Sequence, residues 1–229
     1  MIISGIQKMT LLDYPEHVAC TVFFGGCDFK CPYCHNYELV SQNSVSAISE
    51  NDFFDFLSKR KNILDGVAIT GGEPLLQPEL KPFLQKIKDM GFLIKLDTNG
   101  NHPDALQKLI SKKLVDYIAM DIKNSPENYS ETVQLSTLKM ETIKRSIELI
   151  TGSGIPYEFR TTVVKEFHSE KDFEAIGEMI QGARAYYLQP FVDRDTVPYK
   201  NLTTPSEKEL EKYLEIVKKW VPAASIRGI

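Results

Sequence analysis

Gly25-Gly26-Cys27-Asp28-Phe29-Lys30-Cys31-Pro32-Tyr33-Cys34-His35-Asn36 carries three of the chain's four cysteines, spaced C-x3-C-x2-C, directly after the apolar run Val18 to Phe24. That run reads as a strand covered on both faces, so the three thiols fall on the loop at a strand's end. Three thiolates on one short loop can converge on a single metal centre. A structural zinc site takes four protein ligands. A cubane iron–sulfur cluster can be held by three cysteines, leaving one iron open to another ligand. Two plainer readings stand beside it. Zinc could recruit His35, although neighbouring residues such as Cys34 and His35 rarely both reach one tetrahedral centre. The thiols could also be purely structural, but disulfides do not suit what reads as an intracellular chain.

Working outward, the sequence alternates strand and helix six times. Val18 to Phe24, Gly66 to Thr70, Phe92 to Leu96, Val115 to Met120, Tyr157 to Val164 and Tyr186 to Leu188 read as strands. Between them, Phe53, Phe54 and Leu57 follow a capping-box start at Ser49-x-x-Asp52. Leu80, Phe83, Leu84, Ile87 and Met90 recur at helical spacing, with Gly91 as the stop. Leu106, Leu109 and Ile110 mark the next helix. After a polar loop from Asn124 to Ser136 come Met140, Ile143, Ile147 and Ile150, and later Phe173, Ile176 and Ile180. Thr204-Pro205-Ser206-Glu207 opens a last helix whose stripe is Leu210, Tyr213, Leu214, Val217 and Val221. Such alternation implies a parallel sheet with right-handed crossovers. Six units are too few to close an eight-stranded barrel, so the expected class is α/β, an open partial (β/α)6 barrel. One domain is expected over 1–229, with its core at about 17–191 and a C-terminal helix at about 205–221 packed on it.

Bulk properties bound the function. The chain has 229 residues, 25% charged and 42% hydrophobic, with a formal net charge of −4; it is neither disordered nor broadly basic, so nucleic acid is not an expected partner. No apolar run approaches the ~20 residues of a membrane span. Met1-Ile2-Ile3-Ser4 lacks the basic and long apolar regions of a signal peptide, so the expected location is the cytoplasm, where thiols stay reduced. Cys20, mid-strand among apolar neighbours, reads as a core residue.

Function in parallel α/β folds sits at the carboxyl ends of the strands. There the sequence places Cys27, Cys31 and Cys34, then Gly71, Gly72 and Glu73, then Asp97, Thr98 and Asn99, then Asp121 and Lys123, with Arg160 inside the fifth strand and Gln189 ending the sixth. Each alone has an ordinary explanation as a turn or an ion pair. Together they describe a polar rim around the cysteine loop.

The C-x3-C-x2-C spacing with an aromatic residue, Tyr33, before the last cysteine resembles the signature of radical S-adenosylmethionine (SAM) enzymes. The preceding Gly26-Cys27 and following His35-Asn36 narrow the resemblance to activases of glycyl-radical enzymes, in particular those serving anaerobic ribonucleoside-triphosphate reductase. It runs from about Gly5 to Phe191, through Leu11-Leu12-Asp13-Tyr14-Pro15, Thr70-Gly71-Gly72-Glu73-Pro74, Leu96-Asp97-Thr98-Asn99-Gly100 and Ala119-Met120-Asp121-Ile122-Lys123. Glu16 departs from it, since these relatives usually carry glycine there; the turn before the strand is therefore expected to differ.

The resemblance implies the partial barrel, one [4Fe–4S] cluster on Cys27, Cys31 and Cys34, and SAM on the open iron. Gly71, Gly72 and Glu73 would then take the SAM amine, the glycines by letting backbone approach and Glu73 as acceptor. Asp97, Thr98 and Asp121 would line the SAM pocket, the aspartates meeting ribose hydroxyls or a monovalent cation. Lys123 and Arg160 would offset carboxylate charge or meet the partner's backbone. Tyr33 would pack on adenine, and Asn36 would hydrogen-bond nearby. The implied partners are a glycyl-radical enzyme and a flavodoxin- or ferredoxin-type electron donor. Two other classes compete: a radical SAM enzyme acting on a small molecule, of the carboxy-deazaguanine synthase type, and a zinc-stabilised binding module. Iron and sulfide content separates the last from the others.

Overall fold

The computed structural model describes residues 3–40 and 47–228. Met1 and Ile2, part of the stretch read as lacking a signal peptide, lie outside them. The elements in order are β1 (Ile3–Thr10), β2 (Ala19–Phe24), α1 (Glu50–Ser58), β3 (Gly66–Gly71), α2 (Leu80–Asp89), β4 (Leu93–Thr98), α3 (Pro103–Ser111), β5 (Tyr117–Asp121), α4 (Tyr129–Thr132), α5 (Met140–Gly152), β6 (Tyr157–Val163), α6 (Glu170–Met179), β7 (Tyr186–Pro190), α7 (Glu207–Lys218) and β8 (Ala224–Ile226), with 3-10 turns at Tyr37–Leu39 and Pro74–Leu76. The strands follow one another in chain order in an open sheet. The expected α/β class therefore holds, and the six strands read from apolar runs are β2 to β7.

Two strands and a helix escaped the sequence reading. β1 pairs antiparallel with β2 at one end of the sheet order, and its sequence, Ile-Ser-Gly-Ile-Gln-Lys-Met-Thr, has no continuous apolar run because Gln7, Lys8 and Met9 are exposed. β8 has three residues at the other end. The stretch read as a polar loop after β5 contains α4, whose Tyr129 and Thr132 are buried.

By their contacts the residues form two compact units. The first comprises residues 1–28, 38–98 and 102–118. In it β2 pairs in parallel with β3, and β3 with β4. Phe83 of α2 gathers Phe24, Phe53 and Phe54 around it at 5.1–5.7 Å between ring centres. Four aromatic rings in contact form a substantial part of an apolar core. The helix ends follow local chemistry: Ser49 accepts the Asp52 N–H to cap α1, and Gly91 takes the positive φ of 90° after α2.

The second unit comprises residues 29–37, 99–101 and 119–229. Here β6, β7 and β8 pair in parallel. Capping boxes open α6 at Ser169 with Asp172 and α7 at Ser206 with Glu209. Phe173 of α6 stacks on Tyr213 of α7 at 4.5 Å. Among the described residues no helix is long and apolar enough to cross a membrane.

Candidate active site

In the first unit, β2 and β3 end side by side, with Phe24 paired to Gly71. Past them the Glu73 N–H donates to the Gly26 carbonyl at 2.8 Å and the Gly72 N–H to the Phe24 carbonyl at 2.8 Å. Gly71 has φ 123°, and a Cβ there would lie 2.3 Å from Phe24 backbone atoms. A Cβ on Gly72 would lie 2.1 Å from the Gly26 oxygen. These glycines were read as letting backbone approach a ligand. What they demonstrably permit is close approach to the base of the cysteine loop.

Glu73 is fully buried. Its Oε1 accepts from the Leu75 N–H at 2.9 Å and from the Thr98 hydroxyl at 3.0 Å. So the structure brings Glu73 and Thr98 together, and the carboxylate braces the turn after β3. Asp97 accepts from the ammonium of Lys95, which is 2% exposed. Asp28, next to Cys27, pairs with His102 at 3.0 Å. Burial alone would lower the His102 pKa, but Asp28 reverses that and raises it.

In the second unit, Cys31 and Tyr33 are buried while Cys34 and Asn36 are half-buried. The Lys30 N–H donates to the Val133 carbonyl and the Tyr199 N–H to the Pro32 carbonyl, which pins the loop on two sides. Burial pushes the Cys31 thiol up to about 12 against the pull of Lys123. Cys34 is raised for the same reason, with Lys123 and the Asn36 backbone N–H opposing. Tyr33 rests 5.7 Å from Phe167, ring to ring, and its hydroxyl donates to the Lys123 carbonyl at 3.4 Å. His35 stacks on Phe191 and its Nε2 lies 2.7 Å from the Val192 carbonyl. That contact commits Nε2 to backbone rather than to a metal beside Cys34.

Asp121, Lys123 and Arg160 do come together. Lys123 Nζ donates to Asp121 Oδ2 at 3.0 Å and Arg160 Nε to Oδ1 at 2.9 Å. Burial would raise the Asp121 pKa, yet Arg160 and then Lys123 hold it well below the usual carboxylate range. Gln189 lies in β7 and is half-buried.

None of the four cysteines is in a disulfide. Among the described residues no three His, Cys, Asp or Glu side chains are arranged as a metal-holding group. The fit to a cluster is therefore one of donor chemistry: three thiols within eight residues of one loop, and Cys20 fully buried on β2. Sequence reasoning missed Lys95, His102 and the ion pair of buried Glu158 with the partly exposed Arg227. Lys95 had a signal, a lone lysine in the strand Leu93-Ile94-Lys95-Leu96-Asp97, two residues from a carboxylate.

A family model for the Radical SAM superfamily matches residues 21–180. The chain belongs to this superfamily and is a radical SAM enzyme, a class whose cofactors are a [4Fe–4S] cluster and SAM. It is 34% identical over 237 residues to a Methanocaldococcus jannaschii protein named as a glycyl-radical enzyme activating enzyme, covering 100% of this chain and 96% of that one. Within the superfamily it therefore falls in the activating-enzyme group. It is also 31% identical over 170 residues to the 7-carboxy-7-deazaguanine synthase of Haemophilus influenzae, covering 74% of this chain and 64% of that protein. A solved domain of the pyruvate-formate lyase-activating enzyme from Bacteroides vulgatus has a TM-score of 0.55 at 21% identity, covering 71% of this chain and 99% of that one. At that identity the likeness shows the fold, the open partial (β/α)6 barrel.

Proposed function

We propose that this enzyme installs a glycyl radical on a partner protein, an anaerobic ribonucleoside-triphosphate reductase or a relative of it. The observation that carries the reading is the chain-long match to an activating enzyme, in a sequence whose cysteine loop has the three-thiol spacing. Cys27, Cys31 and Cys34 would hold the cluster. A cluster held there would supply the single electron for reductive cleavage of SAM to methionine and a 5′-deoxyadenosyl radical, the chemistry needed to remove a hydrogen atom from a glycine α-carbon.

The chain's own residues then bind and orient. The Gly71-Gly72-Glu73 turn offers main-chain groups to the SAM amine, with Glu73 fixing the turn through Leu75 and Thr98. Asp97 and Asp121 meet the ribose hydroxyls, and Lys123 and Arg160 offset the SAM carboxylate. Tyr33 and Asn36 shape the loop beside the adenine. On this reading residues 1–229 act as one functional domain in the cytoplasm, reduced by a flavodoxin- or ferredoxin-type donor.

The test is anaerobic electron paramagnetic resonance of reduced protein, SAM and the reductase from the same cell. The expected result is a doublet from a glycyl radical coupled to its remaining α-hydrogen, lost when the partner's target glycine becomes alanine. The partial likeness to a 7-carboxy-7-deazaguanine synthase supports a second reading, a small-molecule substrate. Productive SAM turnover with a nucleobase-like metabolite and no protein partner would establish that one instead.

A further inference from the structure

The family resemblance offers Asp97 and Asp121 a monovalent metal ion as one of two ligands, but each carboxylate already faces a cation that belongs to the chain. In the first unit, Lys95 stands two residues before Asp97 on β4, so both side chains leave the same face of the strand, and its ammonium donates to Asp97 Oδ1. Lys95 is 2% exposed. Its register partner on β3 is Ala68, and the partner of Ala68 on β2 is Thr21. A methyl group and a small hydroxyl leave room for a lysine stem along that face. An ammonium is retained in such a place only with an anionic partner, so the pair is a built feature of the strand.

In the second unit, Asp121 is engaged at both oxygens, Oδ2 by Lys123 at 3.0 Å and Oδ1 by Arg160 at 2.9 Å. Two cations of the chain already meet this carboxylate, so an arriving metal ion would have to compete with both of them for it. These residues do not fit an alkali-metal site.

We propose that Lys95 takes the place of a monovalent cation at Asp97, so that SAM binding by this enzyme requires neither potassium nor sodium. The inference rests on the assignment of Asp97 and Asp121 to the SAM pocket. A tethered ammonium is present at any salt concentration, whereas occupancy by a free ion follows its concentration by mass action.

The test is anaerobic equilibrium dialysis of the cluster-loaded protein against labelled SAM. The buffer contains tetramethylammonium as its sole monovalent cation, or potassium at equal ionic strength. The wild-type dissociation constant should differ by less than about twofold between the two, and rubidium should not be retained stoichiometrically. Lys95→Met should bind SAM roughly tenfold or more weakly in tetramethylammonium, and recover in potassium with one rubidium retained per chain. Wild-type binding that depends on potassium, or stoichiometric rubidium on the wild type, overturns the inference whether or not the variant folds. A Lys95→Met variant that binds SAM normally in tetramethylammonium overturns it too. Failure of the wild type to bind SAM in either buffer instead removes the SAM-pocket assignment, and the inference with it.

Discussion

A side chain on Gly72 would place its first carbon 2.1 Å from the carbonyl oxygen of Gly26. The same Gly26 carbonyl accepts the Glu73 N–H, so the two strand exits are locked by one peptide group. Gly72→Ala must force them apart, and overpacking of this kind costs about 1–3 kcal/mol. Denaturant unfolding of the metal-free protein measures that loss. Iron content after reconstitution should fall in the same variant, because Cys27 follows Gly26 directly.

Cys27, Cys31 and Cys34, each changed to alanine, should abolish cluster assembly, which in the wild type reaches about four irons per chain. Cys20→Ala should retain the iron and lose only packing, roughly 1 kcal/mol for a small buried side chain. Iron and sulfide analysis with the visible spectrum decides it. A Cys20 variant without iron would overturn the ligand assignment.

Where chain chemistry is local, the sequence showed it. The apolar runs of β2 to β7 and the Ser49 and Ser206 caps depend on neighbours in sequence, and each was readable there. What depended on partners far along the chain was not. β1 presents polar residues and is a strand only because β2 lies beside it. Gly72 was read for a ligand, while its immediate constraint is a carbonyl 46 residues earlier. Asp28 and His102 are separated by 74 positions and have no motif in common.

Glu16 stands where the resemblance leads one to expect glycine, and it takes φ 64°, the left-handed conformation that glycine adopts freely. Left-handed backbone costs a non-glycine residue about 1–2 kcal/mol, partly offset by the extra unfolded-state freedom of glycine. Glu16→Gly should therefore raise stability by up to about 1 kcal/mol. A lower melting temperature in that variant would show that the Glu16 side chain contributes contacts worth more than the strain.

Two histidines should give opposite pH dependences near neutrality. Burial lowers the pKa of His168, whose Nδ1 accepts the Val164 N–H and whose Nε2 faces the Lys123 carbonyl. Its folded value lies below the unfolded value of about 6.5, so the unfolded chain binds more protons in that window, and stability falls as pH drops from 6.5 through the folded value. For His102 the sign reverses: with its pKa raised by Asp28, its contribution is complete below about 6.5 and is lost as pH climbs through the folded value. His168→Gln should flatten the acid limb of a stability–pH curve and His102→Gln the limb above 6.5. Each slope is at most about 1.4 kcal/mol per pH unit.

An ion pair joins the residue after the last strand to β6. Glu158 of β6 is 1% exposed and accepts both Arg227 nitrogens, at 2.9 and 2.8 Å. The guanidinium also lies 3.5 Å from the centre of the Tyr187 ring, so Arg227, just past β8, joins that end of the chain to β6 and β7. Removing one partner of a buried pair strands the other without its counter-charge, which costs about 3–5 kcal/mol. The Arg227 side chain is 37% exposed and Arg160 remains 3.9 Å from Glu158, so Arg227→Met should cost less, about 2 kcal/mol. Pairing it with Glu158→Gln should recover part of the loss, because no buried charge is left alone. Chemical denaturation of the two single variants and the double variant gives the coupling directly. Additive losses would mean that β8 is held by its backbone pairing to β7 and not by this ion pair.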